Sequence, residues 1–403
     1  MKCEWEVVRL GDYIESCLGK MLDAKKNKGV FHPYLGNSNV RWGRFELSEL
    51  AQMKFEQDEE KRYGIQSGDL IVCEGGEPGR CAIWCEELPD MKIQKALHRI
   101  RTKEGLDNYY LYYWFLMAGW YGWLEPYFTG TTIKHLTGKA LVELRIPLPK
   151  ITIQRTIASI LSCLDAKIAN NAKINHHLEQ IAQAIFKNWF VDFEPWGGVM
   201  PDDWREIPLG EVMEMSTKAL NPQSCPDMIL EHYSIPAFDE TCLPVFEIAS
   251  EIKSNKYIVD KNCFLISKLN PTTKRIWRPY CISKNAVCST EFIVYRAKNP
   301  AYKDFYYSVI DSPAFTDFLL SHVTGSTGSR QRAIPNETLS FSVIVPPNNI
   351  VEDFCDMVTA IYSQFEQNYL ENWRLRQTRD AILPRLMSGK FDLDTTRKIL
   401  QTE

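Results

Sequence analysis

The chain has 403 residues, 45% hydrophobic and 24% charged, with 47 Lys and Arg against 51 Asp and Glu for a formal net charge of −4. This composition excludes a long disordered tail, and the negative balance excludes a uniformly basic, nonspecific nucleic-acid coat, so any DNA-binding charge has to come from clustering. The 12 cysteines fall in no paired CxxC framework, which excludes the common zinc spacings; they read as reduced thiols, and Cys73, Cys81 and Cys85, which could be imagined as ligands, form only a partial cluster on a strand-turn-strand segment of the kind that is more often core.

The Met-Lys-Cys-Glu-Trp start has neither a basic segment nor an apolar run, so no export signal is expected and the reading is cytoplasmic. Strand-like runs follow: Gly68-Asp69-Leu70-Ile71-Val72-Cys73, a turn Gly75-Gly76-Glu77-Pro78-Gly79, then Arg80-Cys81-Ala82-Ile83-Trp84. The uncharged, aromatic stretch Tyr109 to Leu124 is shorter than the roughly 20 residues a membrane span needs and predicts a packed core helix. A small-residue loop, Gly130-Thr131-Thr132-Ile133-Lys134-His135, and a proline-marked strand, Ile146-Pro147-Leu148-Pro149, close this part.

After Pro149 almost forty residues pass without Gly or Pro, which predicts a long helix with Ile157, Ile160, Leu161, Leu164, Ile168, Ile174, Leu178, Ile181 and Ile185 on one stripe. The chain then repeats itself at an offset of roughly 197 to 199 residues: Trp5, Leu10 and Gly11 return as Trp204, Leu209 and Gly210, and Leu178-Glu179-Gln180 returns as Leu375-Arg376-Gln377. Each copy is long enough to bury its own core, so this is not a solenoid.

In the second copy the strand Asn262 to Ser267 leads into a basic turn carrying Lys268, Asn270, Lys274, Arg275 and Arg278. Phe305 to Leu320 matches the aromatic helix but is interrupted by Asp311, Pro313 and Asp317. A loop Gly325-Ser326-Thr327-Gly328-Ser329-Arg330-Gln331-Arg332 precedes the strand Val343-Ile344-Val345-Pro346-Pro347. A second long helix then carries Val351, Phe354, Val358, Ile361, Phe365, Tyr369, Leu375, Ile382 and Leu386.

Two matched helices separated by a globular part favour antiparallel pairing, with Ile157, Leu164, Asn171, Leu178 and Ile185 facing Phe354, Ile361, Asn368, Leu375 and Ile382. Asn171 and Asn175 recur as Asn368 and Asn372, either fixing register in a seam or facing water. Gly loops with hydroxyls and bases suit DNA, because Gly admits close backbone approach and Arg reads purines bidentately. The candidate contacts are Arg80, Thr131, Thr132, Lys134 and His135 in the first copy and Lys268, Asn270, Lys274, Arg275, Arg278, Ser329, Arg330 and Arg332 in the second. No P-loop, GxGxxG or NPP(Y/F) run occurs, so no catalytic, cofactor or metal residue is expected in this chain.

The WxxxxLG start of each copy, the GDLIV strand, the GTTIKHL and GSTGSRQR loops, IPLP followed by ITIQRTIASILSCLDAKI, and the closing LRQTRDAILPRLMSGKFDL together resemble the specificity subunit of type I restriction-modification enzymes, over essentially the whole chain. The second helix opens PPNNIVEDFCDMV and lacks a Gln matching Gln154. The resemblance implies a mixed α/β fold in which two β-rich target recognition domains, 1–150 and 196–347, are separated by helices 151–195 and 348–403 in an antiparallel coiled coil with internal pseudo-two-fold symmetry. It further implies that each domain reads half of a bipartite double-stranded DNA target and that the helices set the spacing and dock two modification subunits. S-adenosylmethionine, ATP and Mg would sit on those subunits and on restriction subunits. The competing expectation is a coiled-coil scaffold without DNA readout.

Overall fold

The computed structural model describes residues 5–23, 27–85, 88–325 and 331–389. Contacts divide the chain into two compact units, residues 1–167 with 375–403, and residues 168–374.

In the first unit a four-stranded antiparallel sheet runs in the order Ile14–Leu18, Leu97–Thr102, Leu70–Cys73, Cys81–Ile83. The apolar run Leu70-Ile71-Val72-Cys73 is buried on both faces, as a central strand has to be. One face meets Leu35, Met91 and Ile93. The other meets the helix Asn108–Trp120, which starts at Asp107, whose carboxylate accepts the amide of Tyr110 at 3.0 Å. Every residue from Tyr110 to Ala118 is buried, so the aromatic run is a core helix. Beside this sheet lie three strands in the order Gln52–Phe55, Val30–Leu35, Lys92–Ile93, the last pair parallel, and a ribbon pairs Val7–Arg9 with Arg145–Pro147.

The second unit uses the same strand order. Its antiparallel sheet reads Met213–Met215, Phe292–Ala297, Cys263–Ser267, Ile276–Trp277, and its ribbon pairs Arg205–Pro208 with Ser342–Val345. The counterpart of the three-stranded sheet, Val245–Ile248, Ile229–Tyr233, Ala286–Ser289, again has its last pair parallel and is extended by Lys256–Ile258 and Ala219–Leu220. The aromatic helix is broken here into Lys303–Asp311 and Pro313–Ser321, because Pro313 cannot continue the first helix but suits the opening turn of the next, capped by the Ser312 hydroxyl.

Two 40-residue helices, Ile151–Phe190 and Asn348–Met387, run through both units. In the first unit Ile157, Ile160 and Leu161 of one share a core with Leu383, Leu386 and Met387 of the other. Asp165 also accepts from Tyr113 at 2.7 Å and from Arg379 at 2.8 Å. Pro384 lies in the last turn, where its missing N–H leaves the carbonyl of Asp380 without that helical donor.

In the second unit the pairing is antiparallel, since Asn171 meets Asn372 and Asn175 meets Asn368. The asparagines are therefore in the seam, 1 to 8% exposed, and do not face water. The stripe departs from the sequence reading at two places: Ile174 and Ile181 are 38% and 49% exposed, and Ala182, Phe186 and Phe190 take the buried positions. A continuous 3.6-residue period carries an apolar stripe around the helix, so equally spaced residues do not all stay on one seam. Leu178 and Ile185 are half-buried on the first helix, as are Ile361, Leu375 and Ile382 on the second, whereas Phe354 is fully buried.

The opening of the first helix is held by Gln154, fully buried, which accepts the amide of Asp107 at 2.9 Å and donates to the carbonyls of Gly105 and Pro149 at 2.9 and 2.8 Å. Gln154 thus fastens the residue that caps the aromatic helix. At the corresponding turn of the second helix Val351 is buried among apolar groups instead. No helix among the described residues is long and apolar enough to cross a membrane.

Candidate nucleic-acid interface

Strand Leu70–Cys73 runs out into Glu74 and Gly75, and a short hairpin is fastened there. The amide of Leu136 donates to the carbonyl of Glu74 at 2.7 Å, while Thr129 and His135 exchange two backbone hydrogen bonds of 2.8 Å. Gly130, at φ +91°, makes the turn possible; a Cβ there would lie 2.2 Å from the carbonyl oxygen of Ile133. Beneath the junction, His98 bonds through Nε2 to the carbonyl of Leu136 at 2.9 Å. Burial pushes the His98 imidazole below its ordinary range, against the opposing effect of that bond, so the ring is neutral and Nε2 carries the donated proton.

On the other flank Asn37 donates to the carbonyl of Gly75 at 3.0 Å, and Arg80 reaches back to the carbonyl of Asn37 and to Glu77, each at 3.1 Å. Trp42 donates to the same Glu77 at 2.6 Å. The first unit thus brings together the glycine turn with Arg80 and the hairpin with Thr131, Thr132, Lys134 and His135. Thr131, Thr132 and Lys134 are exposed, His135 is half-buried, and Arg80 is mostly committed to fixing the turn.

The second unit builds the same junction. Strand Cys263–Ser267 runs out into Lys268, whose carbonyl accepts the amide of Ala333 at 2.9 Å, and Asn270 donates its amide to Gln331 at 3.0 Å. Ala333 belongs to the hairpin pairing Val323–Thr324 with Arg332–Ala333. Ser329 and Arg330 lie outside the described residues.

The described basic candidates of this unit are each held by a carboxylate or a ring. Lys268 lies 5.9 Å from the centre of the Tyr257 ring. Lys274, 44% exposed, pairs with buried Asp311 at 2.7 Å, and Gln183 of the first long helix donates to the same carboxylate. Burial and Asp311 together raise the carboxyl of neighbouring Glu179, with Lys274 opposing. Arg275 forks onto Asp239 at 2.6 and 2.9 Å. Arg332 forks onto Glu291 at 3.2 and 3.3 Å and stays exposed.

Arg278 is turned into the core and is not displayed at all. It pairs with Asp304 at 2.5 Å and lies 4.2 Å from the Tyr362 ring and 5.4 Å from that of Tyr307. Burial opposes its charge, yet Asp304 and the neighbouring tyrosine hydroxyls keep its proton bound more firmly than usual. Its position in a basic run made it look exposed, but the run enters the sheet at Ile276–Trp277 and Arg278 follows directly on that strand. The carboxylates Asp239, Glu291 and Asp311, which position these bases, are invisible in the linear pattern, since each lies more than thirty residues from its partner.

Residues 2–180 match the family described as the type I restriction modification DNA specificity domain. Over 328 residues the chain is 24% identical to the type I restriction enzyme MjaIX specificity subunit of Methanocaldococcus jannaschii, covering 75% of this chain and 74% of that one. The chain is thus similar to the type I specificity subunits. A second relative, the HindI specificity subunit of Haemophilus influenzae, is 23% identical over 333 residues, covering 64% of this chain and 72% of its own. The fold is shared with a solved type I specificity subunit from M. genitalium at a TM-score of 0.55 and 17% identity, covering 95% of this chain and 96% of that one. The mixed α/β architecture and the paired long helices agree with that shared fold.

Proposed function

We propose that this chain is the non-catalytic, sequence-reading subunit of a type I restriction-modification enzyme. The observation that carries the reading is the twice-built junction: in both units a short hairpin is fastened to the chain leaving the central sheet strand, at Glu74 and at Lys268. A reader made of two equivalent parts suits a target made of two half-sites. Residues 1–150 and 196–347 act as the two target recognition domains. Thr131, Thr132 and Lys134 in one, and Lys268, Lys274 and Arg332 in the other, are the side chains that meet the duplex, Lys neutralising phosphate and Arg reading base edges.

The helical segments 151–195 and 348–403 set the gap between half-sites and dock two modification subunits, for which exposed Ile174, Ile181 and Met357 supply apolar surface. S-adenosylmethionine belongs to those subunits, and ATP and Mg to the restriction subunits that join them, all in the cytoplasm. The test is methylome sequencing of cells expressing this chain with its modification subunit against cells expressing the modification subunit alone. A split, adenine-methylated motif that appears only with this chain supports the reading. A confirmed complex with no new motif points to a scaffold.

A further inference from the structure

We propose that Glu291 is a positioning residue that aims Arg332 at a guanine in the major groove. This rests on the DNA-reading function above. Glu291 sits in the turn between strands Ala286–Ser289 and Phe292–Ala297, and its carbonyl accepts the amide of Lys268, the residue on which the hairpin is fastened. Its carboxylate meets Arg332 side-on, Oε2 against Nε at 3.2 Å and Oε1 against Nη2 at 3.3 Å. A guanidinium has five N–H donors; this contact uses the one on Nε and one on Nη2. The three left include one on each terminal nitrogen, and these form an outward fork of the spacing that guanine O6 and N7 accept.

Arg332 is suited to this role among the described arginines of the candidate set in its unit. Its side chain is 55% exposed, whereas those of Arg275 and Arg278 are 11% and 9% exposed. Holding the fork in one orientation before DNA arrives removes rotamer freedom that binding would otherwise have to freeze. Glu291 also repels phosphate, so its contribution is to selectivity and works against general affinity.

These two consequences have opposite signs, and that makes the role testable. The chain in complex with its modification subunit is measured by competition binding against duplexes in which each base pair of the motif is permuted. Glu291→Ala and Arg332→Ala are each expected to lower discrimination at the same single G·C pair, by on the order of tenfold. Affinity for unrelated DNA should rise or hold for Glu291→Ala and fall for Arg332→Ala. Glu291→Gln, which keeps one acceptor oxygen and the side-chain shape, should lie between wild type and Glu291→Ala. Equal gains on every sequence with an unchanged motif would make Glu291 a mere electrostatic brake and overturn the proposal. A wild-type motif that neither substitution alters overturns it as well and leaves the DNA-reading function standing. A wild-type complex with no sequence preference overturns both.

Discussion

Asn171 donates to Asn372 at 3.0 Å, and the repeat-related Asn368 donates to Asn175 at 2.8 Å. The two bonds exchange under the internal repeat, so one pair is the pseudo-symmetric image of the other. Asn372 uses its remaining donor capacity on the carbonyl of Ile168, and Asn175 does so on that of Phe365. An apolar seam tolerates sliding, whereas four amides that satisfy one another in a single alignment do not.

Replacing one of the four therefore leaves buried polar atoms without partners. Asn171→Ala should lower stability by about 1–3 kcal/mol in urea unfolding. The double change Asn175→Leu with Asn368→Leu should cost less than either single change, because it removes both partners of one bond. A double variant less stable than both singles would show that packing dominates the amides at that seam.

Arg278 and Lys134 are both basic candidates by sequence but should fail in different ways. Arg278→Ala strands Asp304 in the core and should destabilise the second unit by about 3–5 kcal/mol in thermal or urea unfolding. Lys134→Ala should leave stability within about 0.5 kcal/mol of wild type. It should also lower the slope of log affinity against log salt by about 0.9 if it neutralises one phosphate. An unchanged slope would remove Lys134 from the phosphate contacts.

Gly130 offers a test of hairpin geometry without any change of charge. Its φ is +91°, and a methyl group on its Cα would come within 2.2 Å of the Ile133 carbonyl oxygen, so Gly130→Ala has to rebuild the turn. Sequence discrimination in the half-site read by the first unit should fall, with the other half-site unaffected in the permuted-duplex assay. Loss at both half-sites would mean that the damage spreads beyond the hairpin.

His98 links the same hairpin to pH. Burial lowers its folded-state pKa, so the unfolded chain takes up the proton first as pH falls, and unfolding is favoured by acid. The stability contributed by neutral His98 is complete above about pH 6.5, the ordinary imidazole value, and is lost as pH drops below it. His232 is lowered for the same first reason, burial, so the comparison must be internal. Thermal melts between pH 7.5 and 5.5 should show a smaller decline for His98→Gln than for wild type. Equal declines would assign the acid sensitivity to other groups.

Much of the architecture is legible in the chain because it rests on local, repeated signals. The return of Trp5, Leu10 and Gly11 as Trp204, Leu209 and Gly210 marks two units, and the Gly-free run after Pro149 marks a long helix. The antiparallel pairing follows from two such helices separated by a globular part. The exposure of Ile174 and Ile181 does not follow, because a 3.6-residue period fixes spacing and leaves the buried face to whatever packs against it.

The candidate interface divides in the same way. Residue types and loop positions came from the chain itself: glycine where φ is positive, hydroxyls and bases beside it, at matching places in both copies. Which bases are displayed was decided only by tertiary structure. Arg278 and Arg332 are the same residue type in comparable basic segments, yet one is sealed against Asp304 and Tyr362 and the other stands exposed on Glu291. A guanidinium's role depends on the carboxylate that folding brings to it, and Asp304 and Glu291 arrive from distant segments that no local pattern connects.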